Sequence, residues 1–316
     1  MVKKMIIRLG YVAISKALDI TSSGIITYTN YLKEENKDEK LDKIIKSNLD
    51  NLEKILNYNV KNNIHFYRLT SKLIPLATHK DVSFEYINKY KDYYNKISQI
   101  INKNNMRVDV HPDQFCVLNS TNKETINNSI EILKYHINIL EALKIKNPVI
   151  VLHTGSSVFG KEKSITRFVN NFNKLPNNIK NSIVIENDDK IYNAKDVLSL
   201  CKKINRPMVL DYHHHICNPC DNIDGILAEI FDTWKDIRPK VHFSSPKNKT
   251  KRDFRSHHDY INSDDFIQFI EKIKKYNVDI DVMIEAKAKD DALFRLVREL
   301  KYKTNYKFID ETSFEI

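Results

Sequence analysis

Short runs of apolar, mostly β-branched residues recur along the chain at intervals of a few tens of residues. Runs of this length and composition are typical of the buried strands of a parallel sheet. Eight such runs are present, and we predict a strand at each of them: residues 7–12, 65–69, 106–110, 149–153, 183–186, 208–212, 240–243 and 282–285.

The segments between these runs carry apolar residues at a spacing near 3.6, which predicts amphipathic helices that cover the sheet. The first long segment shows the stripe most clearly, with Leu41, Ile44, Ile45, Leu49, Leu52, Ile55 and Leu56. Thr121 and Glu124 have the spacing of a capping box and precede a second stripe. We therefore predict a helix that begins close to Thr121.

Alternating strands and helices without a Gly-, Pro- or Ser-rich linker predict one α/β domain over residues 1–316. Such a sheet either closes as a (β/α)8 barrel or stays open and doubly wound. The chain has only 5 glycines and contains neither a G-x-G-x-x-G nor a P-loop pattern, which removes the main support for an open nucleotide-binding sheet. We predict a single (β/α)8 TIM barrel with its active site at the C-terminal rim of the strands.

The charge balance suggests a partner. Lys and Arg number 51 against 41 Asp and Glu, a formal net charge of +10 at pH 7. Such an excess favours a polyanionic partner, although the abundance of Lys, Asn and Ile is also what AT-rich coding produces. No run approaches eighteen apolar residues, and no cleavage site follows the basic start of the chain. We expect a cytoplasmic protein that does not associate with a membrane.

Cys217 and Cys220 form a lone C-x-x-C pattern around Pro219. A structural zinc site would need a second ligand pair at matching spacing, and Cys116 and Cys201 lie far apart in the sequence. A thioredoxin-like site would place the motif at the start of a helix early in a small domain. The pattern therefore favours a turn with incidental thiols.

Imidazole and carboxylate side chains follow six successive predicted strands at the point where each strand ends. The strand ends supply His111, His153, Glu186, Asp211, His242 and Glu285, and the loops add His79, His213, His214, His215, His257 and His258. Since the carboxyl ends of barrel strands meet at one rim, we expect these side chains to lie close together.

Burying so many ionisable groups without partners would cost several kcal/mol each, so the rim needs cations. Mixed His and carboxylate ligands favour Mn²⁺, Zn²⁺ or Fe²⁺ over Ca²⁺ or a lone Mg²⁺. The candidates outnumber the ligands that one ion needs, which predicts a cluster of two or three ions, as in phosphodiester hydrolysis.

Short motifs at these positions resemble those of the UV-damage endonuclease family, barrel enzymes related to the endonuclease IV type of abasic-site nuclease. The motifs are LGY (9–11), FYRLTS (66–71), HPDQF (111–115), LHTG (152–155), IEND (185–188), DYHH (211–214), KVHFSS (240–245), HHDYI (257–261) and IEAKAK (284–289). Their ordered set spans nearly the whole chain. The resemblance implies a metal-dependent DNA repair enzyme that acts on double-stranded DNA containing UV lesions, and we expect it to act as a monomer. It would hydrolyse the phosphodiester 5′ to pyrimidine dimers and 6-4 photoproducts, leaving a 3′-hydroxyl and a 5′-phosphate.

The resemblance also implies the ligands of a cluster of two or three ions, which we expect to be Mn²⁺. They are His79, His111, His153, Glu186, Asp211, His214, His242, His257 and Glu285. The motif favours His257 over the adjacent His258. Lys240 matches a family lysine near the metals that can be carboxylated, and we expect Lys240, Glu186 and Glu285 to be catalytic.

Three residues match the lesion-binding positions of the family. Gln114 and Phe115 correspond to the pair that enters the duplex, and the aromatic face of Phe115 is retained where relatives often have Tyr. Tyr11 matches a further lesion-side residue. Ser15 stands where the family has Asn, so the contact made by that side chain is not carried over.

Three alternatives share parts of this pattern. An abasic-site endonuclease of the endonuclease IV type would use the same chemistry on a different lesion. A metal-dependent sugar isomerase would use the same barrel and a similar rim, but it needs neither a basic surface nor a loop that enters DNA. A non-catalytic DNA-binding module is the weakest alternative, because phosphate binding does not require nine metal ligands.

Overall fold

The computed structural model describes residues 4–250 and 252–316. Its strands are β1 (Ile6–Val12), β2 (Ile14–Ser15), β3 (Ile20–Thr21), β4 (Phe66–Leu69), β5 (Arg107–Val110), β6 (Ile150–His153), β7 (Ile183–Glu186), β8 (Met208–Asp211), β9 (Lys240–Phe243), β10 (Ile280–Ile284), β11 (Lys307–Phe308) and β12 (Ser313–Glu315). Strands β1 and β4 to β10 pair in parallel in chain order, and β10 pairs with β1 to close the sheet. This closed sheet confirms the predicted TIM barrel, and each of its strands lies at a predicted run.

Helices surround the barrel and bury their apolar faces against it. They are α1 (Tyr28–Lys33), α2 (Lys37–Lys61), α3 (Tyr86–Lys89), α4 (Lys91–Lys103), α5 (Lys123–Ala142), α6 (Lys161–Asn173), α7 (Asn177–Ser182), α8 (Ala194–Ile204), α9 (Tyr212–Cys217), α10 (Ile223–Asp232), α11 (Ser263–Lys274) and α12 (Lys289–Lys303). Helix α2 buries the predicted stripe with the exception of Ile44, which is half-buried. Among the described helices, none combines the length and the apolar character that a membrane crossing requires.

The start of α5 differs slightly from the prediction. Its N-cap is Asn122, whose side chain accepts hydrogen bonds from the backbone N–H groups of Glu124 and Thr125. Asn122 is as good a capping residue as Ser or Thr, so it takes the position that the spacing assigned to Thr121.

Two small additions to the barrel have no counterpart in the predicted pattern. Strands β2 and β3 form a short antiparallel pair, and β12 extends the sheet antiparallel to β1 with β11 at its outer edge. Elements of two or three residues are too short to show a period, so the apolar pattern does not indicate them.

Alternate residues of the barrel strands face an outer apolar core and the barrel interior, where Val151, Val184 and Val209 form a second apolar cluster among polar side chains. On β9, Val241 and Phe243 belong to the large apolar core, whereas Lys240 and His242 between them are buried on the opposite face. Residues two apart along a strand share a face, so Lys240 and His242 both point into the barrel. This alternation places the polar residues beneath the rim.

The four cysteines are free thiols. Cys217 and Cys220 are half-buried at the end of α9, and the Cys217 Sγ lies 3.7 Å from the His213 Nε2. Our reading of the C-x-x-C pattern as incidental thiols stays a prediction.

Candidate metal centre

Glu186, the last residue of β7, lies at the centre of the rim and is completely buried. Its Oε2 lies 2.9 Å from the His111 Nε2, and its Oε1 lies 2.7 Å from the His242 Nδ1. The ring nitrogens of His153 and His214 each come within 3.6 Å of a Glu186 oxygen. Burial raises the pKa of Glu186, but the charges of His242 and His153 outweigh burial and hold that pKa well below its usual value.

Three overlapping groups of side chains could each hold a metal ion, because their ligand atoms lie within 4.8 Å of one another. The groups are His111, His153 and Glu186; Glu186, Asp211 and His214; and Glu186, His242 and Glu285. Glu186 belongs to all three groups. The structure therefore brings together seven of the nine predicted ligands around one shared carboxylate.

Asp211 carries an unpaired carboxylate oxygen that a cation would satisfy. Its Oδ1 accepts a hydrogen bond from the His214 N–H at 2.7 Å and caps α9, while its buried Oδ2 has no hydrogen-bond partner among the described residues. Burial raises the pKa of Asp211 to about 8, even though His214 opposes this shift. A buried, unpaired carboxylate oxygen is costly without a metal ion, so the residues fit one.

Glu285 follows β10 and is held by a cation of the protein itself. Arg68 Nη1 donates to its Oε1 at 2.5 Å, and His242 Nδ1 lies 3.2 Å from the same oxygen. Burial raises the pKa of Glu285, but the charges of Arg68 and His242 keep it well below its usual value. His257 Nδ1 lies 4.0 Å from the Glu285 Oε2, whereas the exposed His258 accepts a hydrogen bond from the Tyr260 N–H. His257 thus lies beside Glu285, and the choice of His257 over His258 as a ligand stays a prediction.

Two residues that orient the ligands were missed from the sequence. Arg68 Nη2 donates to the His242 Nε2 at 2.6 Å, which leaves only the His242 Nδ1 free for a metal. The Asn187 amide exchanges hydrogen bonds with the Asp211 backbone, and the Asn187 carbonyl accepts from the His214 Nδ1 at 2.9 Å. Such bonds fix the ring orientation of metal-binding histidines. Both residues lie within the quoted motifs, and the alternation along β4 would have aimed Arg68 inward.

Lys240 lies below the ligands, and its side chain is completely buried. Its Nζ donates to the Asp109 Oδ2 at 2.5 Å, and Asp109 also accepts from the Arg68 Nε at 3.4 Å. Burial lowers the pKa of Lys240 to about 7, because the charge of Asp109 only partly compensates for the loss of water. The side chain is thus buried and paired with an acid, and its catalytic role and carboxylation stay predictions.

His79 and Tyr11 are two of the predicted site residues that lie outside the three groups. His79 stacks on Tyr28 with ring centroids 4.0 Å apart, and its Nδ1 accepts from the Asp81 N–H. Its role as a ligand stays a prediction. Tyr11 lies fully buried on the outer face of β1, and its hydroxyl donates to the Asn59 Oδ1 at 2.8 Å. This position corrects our expectation, because a side chain enclosed beneath α2 does not reach a lesion.

Gln114 and Phe115 occupy an exposed turn that follows β5. The Phe115 ring is 72% exposed, although neighbouring Cys116 is buried. The turn is fixed from below, since the Phe115 N–H donates to the Asp113 Oδ1 and the Val117 N–H donates to the Ser129 Oγ, each at 3.0 Å. The Phe115 ring is therefore exposed to solvent, and its role in lesion binding stays a prediction.

The fold and this rim define a TIM-barrel enzyme with clustered His and carboxylate side chains able to hold metal ions. A family model described as UV-endonuclease UvdE matches residues 7–314. A UV DNA damage endonuclease of Bacillus cereus (strain B4264) is 40% identical over 303 residues, which cover 94% of this chain and 95% of the relative. The chain therefore belongs to the UV-endonuclease UvdE family, and it is an endonuclease and so a hydrolase.

Two solved structures agree with this assignment at different levels. The crystal structure of SacUVDE matches with a TM-score of 0.85 at 34% identity and covers 94% of this chain and 98% of that chain. Endonuclease IV from Thermus thermophilus matches with a TM-score of 0.57 at 10% identity, and the match covers 94% of this chain and 100% of that chain. The second likeness shows a shared fold alone.

Proposed function

We propose that the chain cuts double-stranded DNA at the phosphodiester 5′ to UV photoproducts, both pyrimidine dimers and 6-4 photoproducts, and leaves a 3′-hydroxyl and a 5′-phosphate. Two or three divalent ions, with Mn²⁺ as the physiological metal, assist the hydrolysis. The observation that carries the proposal is the position of Glu186 in all three groups of candidate ligands, at the same rim as the exposed Phe115.

The ligands of the ions are the seven side chains of these groups together with His257 and His79. Bound divalent ions supply Lewis-acid stabilisation of the negative charge that develops on phosphate oxygens during hydrolysis. The chain contributes the geometry. Arg68 holds Glu285 and His242, and Asn187 holds Asp211 and His214, so the donor atoms are oriented before substrate binds.

Lesion recognition falls to Gln114 and Phe115. A distorted, weakly stacked lesion is less costly to open than an intact pair, so a rigid aromatic wedge favours damaged sites without reading base edges. The hydrogen bonds from Phe115 and Val117 keep the wedge in place before DNA arrives. The net charge of +10 favours the approach of the phosphate backbone.

Carboxylation of Lys240 belongs to the same proposal. A neutral amine is the form that reacts with carbon dioxide, and burial lowers the pKa of Lys240 to about 7, which increases that form near neutrality. The ion pair with Asp109 competes with the reaction. The resulting carbamate would add a negative charge next to bound cations.

One incision assay tests the proposal. The purified chain is stripped with EDTA, supplied with Mn²⁺ and incubated with irradiated, abasic and intact duplexes that are labelled at one end. We expect a single cut on the 5′ side of the photoproduct in the irradiated duplex only. Extension of the cut strand by a polymerase reports the 3′-hydroxyl, and an E285Q variant reports contamination by another nuclease.

The remaining outcomes separate the alternatives. Incision confined to the abasic duplex would replace the UV lesion by an abasic site as substrate. Absence of incision on every duplex would overturn both parts of the proposal, the UV-damaged DNA substrate and the hydrolysis of its phosphodiester. Equal incision with and without EDTA would overturn the metal requirement.

A further inference from the structure

A second exposed aromatic ring lies on the rim next to the proposed wedge. Phe159 follows β6 and is 73% exposed, much like Phe115 after β5. Strands β5 and β6 are neighbours in the barrel, paired at Val110 and Ile150. Single exposed apolar residues are common on protein surfaces, so exposure alone does not assign a role to Phe159.

Phe159 is the one aromatic residue of the described chain whose backbone is left-handed. Residues 157–160 form a turn that is closed by a hydrogen bond from the Gly160 N–H to the Ser157 carbonyl at 2.8 Å. Phe159 occupies the third position of this turn with φ at +65°, a left-handed conformation that Gly or Asn normally adopts. A bulky residue in this position strains the backbone, and such strain is concentrated at functional sites.

The turn is fixed to the loop that carries Phe115. The Arg167 guanidinium donates to the Val158 carbonyl at 2.6 Å and to the Asn119 carbonyl at 2.9 Å. The Asn119 side chain exchanges hydrogen bonds with the Ser156 backbone, donating at 2.6 Å and accepting at 3.2 Å. Asn119 follows shortly after Phe115 in the sequence, and Phe159 follows shortly after Ser156. Hydrogen bonds therefore connect the two loops that carry the rings.

We propose that Phe159 is a second DNA-contacting aromatic residue, which stacks on a base or sugar exposed by the distortion beside the lesion. This inference rests on the proposed function. Lys163 is exposed in the first turn of α6, so a phosphate backbone that passes over Phe159 meets its positive charge, whereas the neighbouring Lys161 pairs with the Asp196 Oδ2 at 2.6 Å.

The Ser157 and Val158 carbonyls of the turn accept hydrogen bonds within the protein. The Phe159 ring, whose centroid lies 6.0 Å from the Arg167 guanidinium, remains exposed to a partner.

Binding and incision are measured separately for wild type and three variants. F159N keeps a residue that tolerates the left-handed conformation but removes the ring, F159Y keeps the ring, and Y302A removes a 91% exposed aromatic at the end of α12. Fluorescence anisotropy in EDTA gives Kd for irradiated and intact duplex. Single-turnover assays in Mn²⁺ give the incision rate at saturating protein.

We expect F159N to weaken binding to irradiated duplex about tenfold, the loss of one base-stacking contact. Binding to intact duplex should change less than about twofold, because its bases are already stacked. The saturated incision rate and the melting temperature should stay near wild type, as should every value for F159Y and Y302A. Equal Kd values for F159N and wild type on irradiated duplex would overturn the inference.

Binding and incision test the role of Phe159 and the proposed function separately. Wild type that binds irradiated duplex in EDTA but does not cut it in Mn²⁺ contradicts the proposed function, while the Kd ratio still decides the role of Phe159. Wild type that cuts normally together with an unchanged Kd for F159N contradicts the role of Phe159 alone. A tenfold loss shared equally by intact duplex would contradict contact with the distortion.

Discussion

A buried aspartate lies near each end of the barrel, and the two carboxylates differ in their hydrogen-bond partners and in the direction of their pKa shifts. Near the amino ends of the strands, Asp281 accepts hydrogen bonds from Arg8 on both oxygens and from Arg107 on Oδ2, at 2.7 to 2.9 Å. Burial raises the pKa of Asp281, but these arginines outweigh burial and hold it below its ordinary value. At the rim, Asp211 keeps an unpaired Oδ2, and burial raises its pKa to about 8.

The charged groups at the two ends also differ in what they lack. Among the described residues, the Arg107 Nη2 beneath the barrel is a donor without a hydrogen-bond partner, whereas the Asp211 Oδ2 at the rim is an acceptor without one. A protein cation already neutralises the carboxylate at the amino end.

The rim gathers Glu186, Asp211 and Glu285 around Arg68. Burial lowers the pKa of His214, but the charge of Asp211 outweighs burial and raises this pKa to about 9. His214 therefore balances a second carboxylate, and a bound cation would balance the third. The ion cluster around Asp281 therefore stabilises the fold, whereas the carboxylates around Asp211 are suited to bind metal ions.

The largest effect should come from E186Q. Glu186 belongs to all three ligand groups, so its loss removes Lewis-acid stabilisation worth several kcal/mol, and we expect single-turnover incision of irradiated duplex to fall about a thousandfold or more. DNA affinity in EDTA should stay within about threefold of wild type, because the DNA contacts remain. The control is E299Q on the outer helix α12, and an E186Q variant that cuts within tenfold of wild type would remove Glu186 from the centre.

The next largest effect should come from D281N, and it should act on stability. Replacing Asp281 leaves Arg8 and Arg107 partly buried without a counter-charge, so we expect the free energy of unfolding in urea to fall by about 3 kcal/mol. Incision per folded molecule should not change. D279N is the matched control, with an expected loss below about 1 kcal/mol, since Asp279 is more exposed and pairs with Arg238 at 3.4 Å. A stable D281N would show that the arginines do not depend on Asp281.

The stabilisation produced by Mn²⁺ should be somewhat smaller than the effect of D281N, and it should distinguish the rim from the opposite end of the barrel. Mn²⁺ at about a hundred times its Kd should stabilise the EDTA-treated wild type by about 2.7 kcal/mol, a rise of roughly 5 °C in melting temperature. D281N should gain the same increment, whereas D211N should gain much less because it lacks the unpaired oxygen. An equal gain in D211N would contradict the use of Asp211 as a ligand.

Most of the barrel could be predicted because buried parallel strands are apolar on both faces and stand out from their surroundings. The site followed from a single rule, that strand ends meet at one rim, and this rule brought His111, His153, Glu186, Asp211 and Glu285 together. The rule works because the positions of strand ends are set by the sheet rather than by loops.

Positions that depend on loops or on side-chain direction were harder to predict. His79 lies on a long loop whose path no periodicity determines, and His214 was chosen among three consecutive histidines only by family resemblance. Arg68 was overlooked because one charged residue in an apolar run resembles an interruption of the strand. The alternation along β1 contained a usable signal, since Tyr11 shares the outward face of Ile7 and Leu9.

The smallest expected effect is the change in stability on acidification. Its direction follows from the lowered pKa of Asp281. Its folded pKa lies below the ordinary value of 3.8, so its contribution to stability is complete above that value and is lost as the pH falls through 3.8 toward the folded pKa. The stability advantage of wild type over D281N should therefore shrink by about 1 kcal/mol between about pH 5 and pH 3, measured by urea unfolding at each pH.

D211N provides the opposite control at the rim. The pKa of Asp211 is raised in the metal-free protein, so its ionisation costs stability as the pH rises above 3.8 rather than as it falls. D211N should consequently steepen the acid slope, because it removes a group whose contribution opposes that of Asp281 between pH 3 and pH 5, whereas D281N should flatten it. If D211N flattened the slope as much as D281N does, both aspartates would be held by protein cations, and the rim would have no need of a metal ion.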